Sequence, residues 1–254
     1  MIRGLYTSAS GMLGEMKRTD IISNNLANVN TTGFKRDRAV FRAFPEMNLH
    51  RLDDPVQVGS RIMDPRPFIG VLGSGSVMDE VHTDFSQGHL IETSNPLDIV
   101  IKGEGFFQVM TPVGVRYTRD GSFNIDSVRA LVTREGYRVQ GENGPIILPS
   151  LGEVRVDSQG VVQVDGEILD RLSIVSFPED ALLEKQGGNL YSSDVAPQAS
   201  DSEVIQGALE GSNLNVVSEM VDLIAAFRSY EASQKVLRAN DETLGKAVND
   251  IARI

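Results

Sequence analysis

From residue 216 onward the chain carries apolar residues in alternating steps of four and three: Val216, Met220, Leu223, Phe227, Tyr230, Leu237, Leu244, Val248 and Ile251. Only Gln234 and Asp241 interrupt the stripe. A mean step of about 3.5 residues is the seam of a helix that packs along another helix. A helix over roughly 215–252 would be about 55 Å long at ~1.5 Å per residue, too long to bury itself in a small domain. A second stripe, Val217, Val221, Ile224, Ala232 and Val236, lies beside the first. The first half of this helix is therefore apolar around much of its girth, and two adjacent stripes can serve two neighbours. Asn213 or Asn215 can cap its start.

The N-terminal end is a weaker copy. Ile2, Leu5, Tyr6, Ala9, Met12, Leu13 and Met16 form an apolar face that resumes at Ile22, Leu26 and Val29. Asn28, Asn30 and Gly33 adopt left-handed conformations readily, so the helix should end near residue 30. The run Ser23-Asn24-Asn25 is a poor helix former, and spacing assigns it no role beyond local frustration at a fraying end.

Between the ends the period changes from helical to two. Val77, Val81 and Phe85 alternate with polar residues, and short β-rich runs follow at 97–101, 106–110, 146–148, 154–156, 161–164 and 172–177. Asp120-Gly121, Glu135-Gly136, Asn143-Gly144, Gln159-Gly160 and Asp165-Gly166 punctuate them as turns. The stretch 44–75 holds Pro45, Pro55, Pro65 and Pro67 with little periodicity, and reads as a connector or extended arm. The fold class is α+β: long N- and C-terminal helices form a coiled-coil-like domain (1–34 with 207–254), residues 35–75 connect, and an all-β domain (76–206) is inserted.

Charge excludes one large class of partner. Lys plus Arg is 24 against Asp plus Glu 35, a net charge of −11. A nucleic-acid binder needs a basic face for the phosphates. Residues 1–38 are locally basic, which a solvated helix face accounts for equally well. With no cysteine, disulfides and thiolate metal sites are ruled out. No apolar run is long enough to span a membrane, and the first residues form no secretory signal, so membrane insertion and a cleaved leader are not expected.

Candidate chemical sites are thin. Gly103-Glu104-Gly105 lacks the third glycine of a dinucleotide loop, since position 108 is Gln, and β-rich sequence follows where a helix is required; it reads as a strand turn. His50, His82 and His89 are the three histidines, and none has helical metal spacing relative to another. No cofactor, metal or catalytic residue is therefore expected. Gln234 and Asp241 could either fix the register of the C-terminal seam or lie at its wet edge.

Both ends also resemble a known family. Residues 23–35, Ser-Asn-Asn-Leu-Ala-Asn-Val-Asn-Thr-Thr-Gly-Phe-Lys, resemble the N-terminal signature of flagellar rod and hook proteins. Residues 206–217, Gln-Gly-Ala-Leu-Glu-Gly-Ser-Asn-Leu-Asn-Val-Val, are similar to their second signature, and Glu219-Met220 and Tyr230-Glu231 fit as well. Phe85-Ser86-Gln87-Gly88, Thr93 to Asp98, Gly103 to Phe107, Tyr117 to Gly121 and Gly136 to Gly141 extend the resemblance to the rod-type members. The match covers most of the chain and is least typical over 44–75. One departure stands out. Arg129 follows Asp126 where the family places a turn glycine, so a rebuilt hairpin is expected there.

The resemblance implies a non-enzymatic structural subunit of the bacterial flagellar basal body, in the cell envelope. It implies export by the flagellar type III apparatus and polymerisation through the terminal helices into a hollow, torque-transmitting shaft. Expected partners are other copies, other rod and hook axial proteins, and the export apparatus. The expected assembly interface comprises Leu5, Met12, Met16, Leu26, Met220, Leu223, Phe227, Tyr230, Leu237 and Leu244. Compact length and Pro65-Arg66-Pro67 favour the proximal-rod over the distal-rod type. Two rivals come from other classes: a β-domain adhesin or cell-wall-binding module with oligomerising ends, and a peptidoglycan hydrolase. The absence of Trp and only 6% aromatic residues leave little for a carbohydrate-binding groove.

Overall fold

A computed structural model describes residues 2–251, apart from 45, 53–55, 59, 60, 64, 65, 151, 179 and 180. Pro45, Pro55 and Pro65, and the last residue of the expected C-terminal helix, lie outside the described residues. Contacts divide the chain into two units: Met1–Leu26, Asp37–Thr83 and Val216–Ile254 in the first, Ala27–Arg36 and Asp84–Asn215 in the second. These borders differ from those read off the sequence. Residues 37–83 cluster with the helices, and 27–36 belong with the β strands.

The first unit holds both helices, α1 (Ile2–Ala27) and α2 (Val216–Ile251). They run antiparallel, because Gly4 faces Asn240, Gly11 faces Ser233 and Glu15 accepts a hydrogen bond from Ser229. Asn215 occupies the residue before α2. Asn213 is used elsewhere: its side-chain oxygen accepts from the Arg36 amide and its nitrogen donates to the carbonyls of Asp84 and Ser86.

The stretch read as a connector or extended arm is strand-paired. Arg36–Ala43 pairs with Ser76–Asp84, Glu46–His50 with Phe68–Gly73, and Val56–Val58 with Arg61–Met63, each ladder nested in the one before. The residues of Glu46–His50 are all exposed, so no buried face imposes the alternation that marks a half-buried strand in sequence. At its base the arm is tied to α1: Thr7 donates to the Ser74 carbonyl, and Ser10 accepts from the Ser76 amide.

The second unit is all-β. A 10-stranded sheet is built on Phe106–Thr111, which pairs with Gly114–Thr118, Arg138–Gly141 and Ile174–Ser176. Both faces of that strand are covered. Phe107 and Val109 enter a core with Ile99, Ile101, Phe123, Leu131, Val139 and Leu172, while Phe106 packs with Tyr117, Val175 and Tyr191. Val154–Val156, Val161–Val164 and Glu167–Arg171 form a separate 3-stranded sheet. Its second hairpin turns on Asp165-Gly166, both at positive φ (52° and 88°), the geometry a two-residue hairpin requires. Gly103-Glu104-Gly105 joins two strands, with both glycines at positive φ.

In the hairpin that carries it, Arg129 adopts the left-handed conformation, at φ 63°. Asp126 holds it there, its carboxylate accepting from the amides of Val128 (2.9 Å) and Ala130 (2.8 Å). The Arg129 guanidinium donates to the Pro149 carbonyl. Local hydrogen bonds thus offset the roughly 1–2 kcal/mol that a Cβ costs in this region.

Candidate assembly interface

Burial along α2 follows alternating steps of four and three, in a phase different from the apolar stripe. The positions on that phase, Glu219, Leu223, Ala226, Tyr230, Ser233, Leu237, Asn240, Leu244 and Ala247, are half-buried or buried, and Asp222, Ser229 and Gln234 beside them are half-buried too. Leu223, Tyr230, Leu237 and Leu244 belong to the expected seam. Its other half moves by one residue: Glu219, Ala226 and Asn240 turn inward in place of Met220, Phe227 and Asp241, while Ser233 and Gln234 are both half-buried. The reason is steric and polar. A Cβ on Gly11 would lie 3.6 Å from Ser233 Oγ, and one on Gly4 would lie 3.3 Å from Asn240 Nδ2, so bulky residues at these α2 positions would push α1 away. Arg18 lies 3.9 Å from Asp222, and Ser229 donates to Glu15 at 3.0 Å.

The large apolar residues are consequently left outside. Met220 is 50% exposed, Phe227 51%, Val221 61% and Val217 71%, with Val216, Ile224, Val236 and Val248 also exposed. On α1, Met16 is exposed together with Tyr6 and Leu13, whereas Leu5, Met12 and Leu26 are half-buried. Of the residues expected at the interface, Met16, Met220 and Phe227 therefore face solvent. The others lie partly within the chain. A water-facing helix normally turns its polar side out; here Glu219, Ala226, Ser233 and Asn240 share the inward side with Leu223, Tyr230, Leu237 and Leu244, while Val217, Met220, Val221, Ile224 and Phe227 face solvent.

Asn25 has a role that spacing could not assign. It is 1% exposed; its Oδ1 accepts from the Asp37 amide (3.1 Å) and its Nδ2 donates to the Asp37 carbonyl (2.9 Å) and to Glu219 (3.2 Å). One side-chain amide thus pairs both backbone groups of Asp37 and reaches a buried carboxylate on α2. It joins α1, the arm and α2 at one point, which explains why a poor helix former stands there. Asp37 in turn accepts from Thr83 across the base of the arm (2.7 Å).

In the β unit the two signatures meet again. Lys35 and Glu210, each with a side chain 1% exposed, form an ion pair at 2.6 Å, and Arg119 approaches the second oxygen of Glu210 at 3.4 Å. Burial holds the Lys35 ammonium below its ordinary pKa, and Glu210 opposes that shift. Asn25, Lys35, Glu210 and Glu219 all stand in the segments singled out in the sequence, but their partners are distant in the chain.

Among the described residues no group of three or more His, Asp or Glu is placed to hold a metal ion. No described helix is long and apolar enough to cross a membrane.

Three family descriptions match: "Flagella basal body rod protein" over residues 5–35, "Flagellar hook protein FlgE/F/G D1 domain" over 100–164, and "Flagellar basal body rod FlgEFG protein C-terminal" over 205–250. The flagellar basal-body rod protein FlgG of Borreliella burgdorferi is 34% identical, covering 98% of each chain. The flagellar hook-basal body complex protein FlhO of Bacillus subtilis is 32% identical over 100% of each. FlgG of Buchnera aphidicola subsp. Acyrthosiphon pisum is 35% identical over 97% of this chain and 98% of its own. Since these proteins match this chain end to end, compact length is no ground for preferring one rod type. With matching segments at both ends and in the β unit, and with relatives similar along their whole length, this chain belongs to the flagellar basal-body rod and hook protein family.

Proposed function

We propose that this protein is a structural subunit of the flagellar basal-body rod, exported by the flagellar type III apparatus and polymerising through its terminal helices into a hollow shaft that transmits torque. The observation that carries the reading is the outward apolar stripe of α2, with Met220, Val221, Ile224 and Phe227 exposed on one helix. Contiguous apolar surface of this kind marks a protein contact, and in a rod subunit further copies of the chain are its natural occupant. The unit with this surface is close to neutral, whereas the β unit holds most of the excess acid, with 11 basic against 20 acidic residues. That division suits a shaft in which one unit packs and the other stays soluble and self-repelling. Leu223, Tyr230, Leu237 and Leu244, with Leu5, Met12 and Leu26, back the helix pair, and Met16, Met220 and Phe227 meet the neighbour.

The test is assembly itself. Purified protein above a critical concentration should form tubes or filaments, and isolated basal bodies should contain the chain in their rod. Saturable binding or cleavage of cell-wall sacculi by a chain absent from the rod would instead favour the adhesin or hydrolase readings.

A further inference from the structure

Residues 27–35 enter the β unit without joining a strand, yet Gly33, Phe34 and Lys35 are buried. They are held as a peptide ligand is held, by groups converging from four separate stretches of chain. Thr32 donates to Asp120 (2.8 Å), and the Thr32 carbonyl accepts from Asn189 (2.8 Å). The Gly33 amide donates to the Glu210 carbonyl (2.8 Å). Lys35 donates to Glu210 Oε1 (2.6 Å) and to the Ser86 carbonyl (2.8 Å), while its own carbonyl accepts from Lys185 (2.6 Å). The Lys185 ammonium also lies 4.3 Å from the centre of the Phe34 ring, a cation–π contact.

The fit is selective at three successive positions. At Gly33, φ is 68° and a Cβ would lie 2.5 Å from the Asp120 amide, so the backbone approaches where no side chain fits. Phe34 supplies the ring beneath Lys185. Lys35 supplies a cation to a carboxylate that already takes the Gly88 amide (2.8 Å) and faces buried Arg119. Asn189 presents its side chain to Thr32 from a left-handed backbone conformation, at φ 55°.

We infer that residues 27–36 are a plug that closes the β unit, docking in a preformed-type peptide site made by Ser86 to Gly88, Arg119-Asp120, Lys185 to Asn189 and Glu210 to Asn213. Without the plug, Glu210 keeps a buried carboxylate whose closest cation is gone, and Asp120, Asn189 and Lys185 each lose a partner. Removing one member of a buried ion pair is far more damaging than replacing the pair by apolar groups. Any state of the chain in which its first 36 residues are held elsewhere therefore leaves this edge of the β unit open, whereas the 3-stranded sheet, which makes none of these bonds, stays closed. The inference does not depend on a role in the rod.

Hydrogen exchange by mass spectrometry on the full chain tests it. Lys35→Met should speed exchange by more than about a hundredfold over 27–36, 84–92 and 206–213, with 154–171 almost unchanged. Gly33→Ala, which displaces the plug by its Cβ and leaves every charge in place, should open the same segments and serves if Lys35→Met does not fold. The triple variant Lys35→Met, Arg119→Met, Glu210→Leu, which removes the charges together, should restore protection. Faster exchange confined to 27–36 would make the segment a passenger. Equal loss across 154–171 would make it ordinary core, and unchanged exchange would remove the plug altogether; each overturns the inference.

Discussion

Replacing Phe227 by aspartate separates contacts within the chain from contacts between copies. Phe227 is 51% exposed, and on the same helix Ala226, one residue earlier, is 0% exposed. Fully burying a phenylalanine is worth about 1.5–3 kcal/mol, so roughly half of that remains for a neighbour to gain. An aspartate carried into the same contact loses this gain and adds a desolvation penalty of several kcal/mol. A combined loss of about 4 kcal/mol corresponds to roughly a thousandfold rise in the critical concentration for assembly, at about 1.4 kcal/mol per factor of ten. In the single chain the new carboxylate is solvated, and an exposed change of this kind alters stability by about 0.5 kcal/mol. Sedimentation of purified protein over a concentration series reads the first quantity, and thermal melting of the β unit reads the second. Assembly of Phe227→Asp within threefold of the parent concentration would refute the assignment of this stripe to the contact between copies.

Asn25→Ala removes three hydrogen bonds at the junction of α1, the arm and α2; a loss of about 2–3 kcal/mol should raise the critical concentration by roughly thirtyfold or more in the same assay and leave β-unit melting untouched. Because much of the apolar surface of α1 and α2 is left exposed in the single chain, both helices should exchange amide hydrogens quickly in dilute monomer and slowly in the polymer; slow exchange at both ends of a proven monomer would remove the idea that they order on assembly. At position 129, a β-branched residue at positive φ should destabilise the β unit by more than about 1 kcal/mol, so Arg129→Val lowers the urea midpoint. Arg129→Gly should stay within about 1 kcal/mol of the parent, as backbone relief offsets the lost bond to Pro149.

Local and periodic information was enough for the coarse fold. The period of about 3.5 in 216–251 and the Asn-Gly-rich exit from α1 gave both helices close to their observed ends. The pair Asp165-Gly166 marked a hairpin turn because only certain residues adopt those angles cheaply. The signatures at 23–35 and 206–217 gave the family. Within the stretch read as a connector or extended arm the strand pairing was not legible, because a strand such as Glu46–His50, exposed along its length, carries no alternation.

Tertiary structure decided the rest. A helix with two adjacent apolar stripes has a period but no unique phase: sequence alone does not say which stripe meets α1 and which meets a neighbour. Close packing settles it, since Ser233 and Asn240 fit against Gly11 and Gly4 where larger side chains would not. The polar joints were hidden for a related reason. Asn25 meets Glu219 and Lys35 meets Glu210 across 194 and 175 residues of chain, respectively, and a lone Asn or Lys reads as solvated until its distant partner is known. Arg129 shows the converse, a residue that violates a local preference and keeps the turn because Asp126 and Pro149 hold it. Spacing along the chain encodes period and turn, whereas the phase of a helix and the partner of a buried charge depend on what the fold brings from elsewhere.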